Sequence, residues 1–527
     1  MGNNNSEVTT PRPTGRGTGE GPKLKALAKD TAIYGLSSIV GRFLNYLLVP
    51  LYTVTIPSAS GGYGEITNVY AFTGLILVIL TFGMETTFFR FANDAKERPS
   101  TVFSTALGIV SLLIVVFLAL IFGFLPEISE SLQYADHPEW VWMMSVVVSL
   151  DAFQAIFFSL LRFQKRPIKF ASLKLLFIFV NIILNLIWFA LLPTLYKNHT
   201  EPGTLYDIVH RLYSPTDIQG YAFSINLFCT SIITLFFIPE MKQMFGQWCF
   251  DVRLLRRMLS YSWPILVLGI AGILNQTVDK MIFPFVYPDA VEGKVQLGIY
   301  GACVKVAMIM AMITQAFRYA YEPIVFAKSK DSDAKEMYAA SMKYFIIFTL
   351  LAFLVVIGYM DILKYIIGTD YREAIPTIPV VMAAEIMMGI YFNLSFWYKL
   401  IDRTIWGAWF SLAGCAVLIA VNIIFIPRIG YWACAWGGFA GYATSMLLSY
   451  FVGQRKNKID YPLRSIGLYT LLAGVLFGVM TLLPDTWHPA LRIAINTLLI
   501  GLFMAYIIRT DLPLCSLPVV GRYFSKH

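Results

Sequence analysis

Along most of the chain, short polar clusters separate apolar runs of about 20 residues, each long enough to cross roughly 30 Å of hydrocarbon as a helix. Reading the windows between charge clusters predicts helices over 31–53, 64–88, 101–124, 140–161, 170–192 and 219–239. A second set follows over 261–285, 297–318, 343–361, 376–398, 405–426 and 431–452, and two more over 464–483 and 490–508. This pattern specifies an all-α polytopic membrane protein with about 14 transmembrane helices. The run after Thr377 is the most polar, with Glu385 and Asn393, which predicts a helix facing protein or water more than lipid.

Composition agrees with the pattern and removes rival classes. Of 527 residues, 57% are apolar and 14% charged, whereas soluble domains carry about 25% charged residues. The net charge of +9 needs no nucleic-acid partner, because membrane proteins collect Lys and Arg on the cytoplasmic side. With an inside N-terminus, thirty basic residues fall in inner segments and six in outer ones. That bias assigns both termini to the cytoplasm, and an odd number of helices would scramble it. The segment 1–24 reads as a disordered cytoplasmic tail.

Candidate enzymatic chemistry is sparse. The largest outer loop spans about 193–218, which leaves little material for an extracytoplasmic active site. No phosphate-cradling loop is present, so the reading is a non-enzyme that ATP does not drive directly. The six cysteines form no CxxC and the histidines no HExxH, so no metal site and no cofactor are expected.

Three short stretches recur. Tyr63-Gly64-Glu65 opens the second helix as Leu297-Gly298-Ile299-Tyr300 opens the eighth. The basic turn Arg162 to Arg166 after the fourth parallels Tyr398 to Arg403 after the tenth. Gln219-Gly220-Tyr221 starts the sixth much as Ile429-Gly430-Tyr431 starts the twelfth. Together they predict two six-helix bundles, 25–240 and 241–456, related by a pseudo-two-fold axis along the membrane normal. Helices 13 and 14 and a cytoplasmic tail occupy 457–527. Parallel repeats of this kind place a transporter's site between the halves.

The run Asp30-Thr31-Ala32-Ile33-Tyr34-Gly35, the Tyr63-Gly64 pair, the stretch Phe82 to Phe91 and the basic turn Arg162 to Arg166 resemble Wzx-type polysaccharide flippases. These form part of the multidrug/oligosaccharidyl-lipid/polysaccharide (MOP) exporter superfamily. The resemblance covers roughly Leu27 to Arg509. It implies two bundles in a V, two extra helices and a bacterial inner membrane. It also implies a polyprenyl-pyrophosphate-linked oligosaccharide as cargo, moved from the inner to the outer leaflet by alternating access, with a polysaccharide polymerase as a candidate partner. Rival readings are a multidrug exporter or a lipid II flippase of the same superfamily. From another class, a membrane glycosyltransferase or polymerase would need longer outer loops.

Charges at membrane depth name the candidate site. Arg42, Asp151, Lys174, Asp279, Lys280, Lys305, Glu385 and Arg492 lie within or near spans, and each costs about 2.5–3.5 kcal/mol at a helix centre on insertion scales. Arg492, close to its helix start, can snorkel. Ser38, Arg42 and Asn45 share one helical stripe, as do Asp151, Gln154 and Arg162, and Lys174, Asn181 and Asn185. Arg42 has no acidic residue in its stripe. Buried pairs such as Asp279 with Lys305, or Asp151 with Lys174, would explain some of these charges as helix pins. The functional assignment makes Arg42, Lys174, Lys280 and Lys305 an anion-binding lining for a lipid pyrophosphate, and turns Asn45, Gln154 and Asn181 to sugar hydroxyls. Asp151, Asp279 and Glu385 are candidates to bind a coupling H⁺ or Na⁺.

Overall fold

The computed structural model describes residues 48–198, 204–246, 248–327, 334–400, 403, 405–484 and 486–511. All regular structure among them is helical. In chain order the helices used below are α1 (Leu48–Thr55), α2 (Gly62–Thr81), α3 (Met84–Ala92), α4 (Pro99–Gly123), α5 (Pro138–Phe163), α6 (Pro167–Leu186) and α7 (Ile218–Leu235). The second half supplies α8 (Val252–Val286), α9 (Ala290–Ala307), α10 (Ile309–Ala327), α11 (Ala334–Gly358), α12 (Ile378–Leu394), α13 (Ile405–Ile429) and α14 (Trp432–Lys456). Helices α15 (Leu463–Leu482) and α16 (Pro489–Thr510) close the chain.

Among the described residues, eleven helices are long and apolar enough to cross a membrane, or twelve when α9 and the start of α10, bent by 40° at Met308, count as one span. Two of the fourteen expected spans stand outside that number for different reasons. The helix expected over 31–53 lies outside the described residues except for its end in α1. Helix α14 has the length, but Gly437, Gly438, Gly441 and Gly453 dilute its apolar character. Gly437, Gly441 and Gly453 serve packing: a Cβ on Gly441 would lie 2.9 Å from the Gly414 carbonyl oxygen of α13, and one on Gly414 2.6 Å from that of Gly441. Small residues let helix backbones approach where lipid supplies no hydrophobic drive between helices.

Breaks within spans have local causes. Between α2 and α3, Phe82 and Gly83 both take positive φ (50° and 67°), which interrupts the helix without ending its path. The end of α6 passes into a π-turn over Ile187–Leu191, where the Phe189 carbonyl accepts from Thr55 Oγ1 of α1 at 2.9 Å.

The cores follow the two halves. One cluster of buried apolar side chains runs from Phe283 through Leu354 and Tyr371 to Phe503 and Ile507, so α15 and α16 pack on the second half. Two others, around Phe88, Phe103 and Phe157 and around Trp140 and Phe223, fill the first. Helix α8 crosses this division, since Leu254 and Met258 of its first turns are buried in the first-half core. The expected boundary near residue 240 thus precedes a helix shared by both.

The halves are tied at the end opposite the basic residues, here called the outer end. Glycines 64 and 298, matched by the sequence repeat, face each other there. A Cβ on Gly64 would lie 1.8 Å from the Lys294 carbonyl oxygen and 3.0 Å from Gly298 N. Around them, Glu65 accepts from Lys294 Nζ and Gln219 Nε2, each at 3.0 Å. Asn68 donates to the Lys280 carbonyl at 2.8 Å and accepts from Tyr134 Oη at 2.9 Å. Tyr371 donates to the Ile56 carbonyl at 3.0 Å, and Gly368 N–H to Thr53 Oγ1 at 2.9 Å.

Candidate functional site

Beneath this outer seal lies a cavity of about 500 Å³ between the halves. Its second-half wall carries the charge. Helix α8 contributes Asn275, Asp279 and Lys280, α9 contributes Lys305, α10 contributes Arg318 and α12 contributes Glu385. The bend at Met308 lets α10 turn Thr314, Gln315 and Arg318 toward the same space. The first-half wall is mostly neutral, with Tyr52, Tyr70, Asn181 and Asn226.

Lys280 Nζ donates to both oxygens of Asp279 at 3.0 Å and to the Gln276 carbonyl at 3.0 Å. Tyr300 Oη donates to Asp279 Oδ2 at 3.4 Å. The pairing of Asp279 is therefore with its chain neighbour, and the alternative pin to Lys305 is not formed. Among the described residues Lys305 and Glu385 have no ion-pair or hydrogen-bond partner, although both reach the cavity. An unpaired charge removed from water costs several kcal/mol, so these two groups depend on cavity water or a bound ligand. The guanidinium of Arg318 stands over the Phe392 ring, 5.1 Å from its centroid. Asn275 Oδ1 and Thr314 Oγ1 are buried without a hydrogen-bond partner.

Of the residues singled out from sequence, Lys280, Lys305, Asp279, Glu385 and Asn181 line this cavity. Arg42 and Asn45 lie outside the described residues. Lys174, Asp151 and Gln154 are not among the lining residues. Lys174 Nζ sits 4.1 Å from the Phe158 ring centroid, and no ion pair joins it to Asp151. Gln154, buried between α5 and α7, donates to the Thr230 carbonyl at 2.9 Å and to Thr234 Oγ1 at 2.8 Å. Its amide nitrogen is thus spent on holding α5 to α7. Asn181 is half engaged, its Oδ1 accepting from Asn185 Nδ2 at 3.1 Å while Tyr52 Oη donates to Asn185 at 2.6 Å.

By sequence Arg318 belongs to the inner basic segment that follows the eighth span. Its position at a span end conceals the bend that turns it inward. Glu85 in the Phe82 to Phe91 stretch accepts from Arg162 of the basic turn at 3.1 Å. Two of the four pieces of sequence that carry the family resemblance thus meet in space.

A cluster of three potential ligand side chains that sequence spacing does not reveal stands at the outer end, outside the cavity lining. His137, Glu139 and Asp217 have ligand atoms within 4.8 Å of one another. His137 Nδ1 is hydrogen-bonded to Glu139 at 2.8 Å, and Asp217 Oδ1 caps α7 by accepting from Gly220 N–H at 2.9 Å. Of the cysteines, Cys229, Cys303, Cys415 and Cys434 are buried free thiols and Cys249 is exposed, while Cys515 lies outside the described residues.

No protein-family model and no curated protein sequence matches the chain. Solved structures do. The lipid II flippase MurJ in an inward closed conformation superposes with a TM-score of 0.66 at 15% identity, over 90% of this chain and 98% of that one. An inward-facing multidrug resistance MATE family transporter of the MOP superfamily gives 0.53 at 12% identity, over 79% and 94%. The MATE multidrug transporter DinF-BH gives 0.56 at 12% identity, over 86% and 99%. The chain shares its overall fold with these structures. At these identities the likeness concerns fold alone, and the charges described above belong to this chain's own cavity.

Proposed function

We propose that the protein is a flippase that moves a polyprenyl-pyrophosphate-linked oligosaccharide from the cytoplasmic to the outer leaflet by alternating access between its halves. The observation that carries this reading is the cationic part of the cavity wall, Lys280, Lys305 and Arg318. A lipid pyrophosphate carries negative charge that cannot enter hydrocarbon bare, and ammonium and guanidinium groups in a hydrated cavity replace its water. An organic cation would be served by an acidic wall. Here the acids are Asp279, already paired with Lys280, and Glu385. Asp279 and Glu385 remain the candidates for a coupling H⁺ or Na⁺, and Arg42 a candidate for the same anion from the first helix.

Transport of a lipid II-type cargo is the second reading. It is favoured by the fuller superposition on the MurJ flippase, 90% of this chain against 79 and 86% for the two MATE transporters. Both cargoes share the pyrophosphate, so the cavity chemistry serves either. In proteoliposomes, labelled polyprenyl-pyrophosphate glycan is expected to become accessible in the opposite leaflet, at a rate that Lys305→Ala lowers by about tenfold or more. Organic-cation transport with no glycan crossing would replace this function with drug export.

A further inference from the structure

A second concave region lies at the inner end, where α3 meets the first turns of α8. It encloses about 740 Å³ and is lined by Arg90, Arg253, Arg256, Arg257 and Tyr261, with Asp94 as the carboxylate among its lining residues. It shares no residue with the central cavity. Basic residues at this end of a membrane protein are ordinary, so their number alone carries nothing. Their setting carries more.

Two of the guanidiniums are held in place. Arg90 lies over the Tyr261 ring at 4.1 Å and Arg257 over the Phe91 ring at 5.4 Å, so each is fixed on an aromatic face from the other helix. Arg257 also pairs with Glu97. The other two are placed against their own helix. Arg253 and Arg256 stand in the first two turns of α8, where the helix dipole opposes a cation. Asp251 already takes the N–H groups of Arg253 and Leu254 at 2.7 and 3.2 Å, so backbone donors at this end are satisfied. Among the described residues neither Arg253 nor Arg256 has an ion-pair partner. Four guanidiniums converge, with Asp94, Glu97 and Asp251 as the nearby acids.

The surroundings are those of a membrane interface. Val252 is 70% and Trp263 59% exposed on α8 itself, and Trp248 and Phe250 are exposed just before it. Apolar side chains bare to this degree suit acyl chains, and tryptophan favours headgroup depth.

We propose that this arginine cleft binds the phosphodiester headgroup of an anionic phospholipid, which bridges α3 to α8 and neutralises the first turns of α8. Guanidinium forks match phosphate oxygens in pairs, and the exposed apolar collar favours a lipid over a soluble anion. The site is distinct from the cargo cavity and stands whether or not the transport reading holds.

The test uses the full-length protein in non-ionic detergent micelles, titrated with phosphatidylglycerol, phosphatidylcholine or inorganic phosphate. Phosphatidylglycerol is expected to bind more tightly than phosphatidylcholine. The variant Arg253→Gln/Arg256→Gln should weaken that binding by about tenfold or more. The matched variant Arg455→Gln/Lys456→Gln, which removes two exposed cations elsewhere on the inner face, should leave it unchanged. If the first variant fails to fold, Arg256→Lys keeps the charge but loses the fork and should still lower affinity. Equal binding of the two lipids, or an equal loss in both double variants, would overturn the site. Displacement of the lipid by inorganic phosphate at matched concentration would overturn the lipid assignment.

Discussion

In the first half, Gln154 on α5 reaches across to α7 and spends its amide on Thr230 and Thr234, and Asn185 joins Tyr52 to Asn181. In the second half, Lys305 and Glu385 reach the cavity with no protein partner among the described residues. Gln154 and Asn185 were legible as members of polar stripes, and Lys305 and Glu385 as single charges on apolar helices. They end in opposite roles because of what stands across from each side chain. A carbonyl or hydroxyl on the neighbouring helix consumes a side chain's hydrogen-bonding capacity, whereas open space leaves it for a ligand. The described first half is therefore a largely neutral wall braced from within, and the second half presents the charge.

The sharpest way to break this arrangement is at the contact that seals the cavity. Gly64→Val places side-chain atoms where even a Cβ would lie 1.8 Å from the Lys294 carbonyl, and should cost more than about 3 kcal/mol or force the outer end open. Cysteine labelling from the outer side, at a reporter on Tyr300, would then rise. Unchanged labelling and stability would show that the halves are not held there.

Next in size is Asp279→Asn, which leaves the Lys280 ammonium without its carboxylate and should destabilise by about 3 kcal/mol. The double variant Asp279→Asn/Lys280→Met should recover most of that loss in a thermal melt. Failure to recover would mean that Asp279 stabilises the fold through more than its neighbour, the bond from Tyr300 included.

Gln154→Leu sharpens the comparison from the other side. It should lower stability by about 1–2 kcal/mol, the worth of buried hydrogen bonds, while cargo binding per folded molecule stays constant. A variant with full stability and weakened binding would move Gln154 back to the cargo surface. Smallest is Glu65→Gln, which keeps the bond from Gln219 within reach but removes the ion pair with Lys294. It should cost about 1 kcal/mol, read as a small rise in outer labelling. That is less than breaking the equally buried Asp279–Lys280 pair, because Gln still offers an oxygen and the Lys294 ammonium keeps the Gln133 carbonyl at 3.2 Å and the Tyr134 ring.

Much of the architecture was readable without coordinates because a bilayer imposes length and apolarity on every span. Helix α14 coincides with the run expected over 431–452, although its glycines leave it less apolar than the other spans. The repeat proved more informative in space than in sequence, since Gly64 and Gly298, matched as helix openings, turned out to be each other's contact. What periodicity could not supply was the partner of each stripe. It placed Gln154 and Lys174 toward a cavity that neither lines, and it left Arg318 among ordinary inner cations because a bend without proline or glycine at Met308 has no sequence signal. The trio His137, Glu139 and Asp217 was hidden for a similar reason, as Asp217 comes from a distant part of the chain.

The central claim is that the second-half wall recognises a phosphorylated lipid head. Equilibrium binding of polyprenyl pyrophosphate to the purified protein, compared with Lys305→Glu, tests it most directly. Reversing that charge is expected to weaken binding by at least about a hundredfold, equivalent to about 2.7 kcal/mol, with an unchanged thermal melt. Equal affinity in the two proteins, or tighter binding after the reversal, would contradict it.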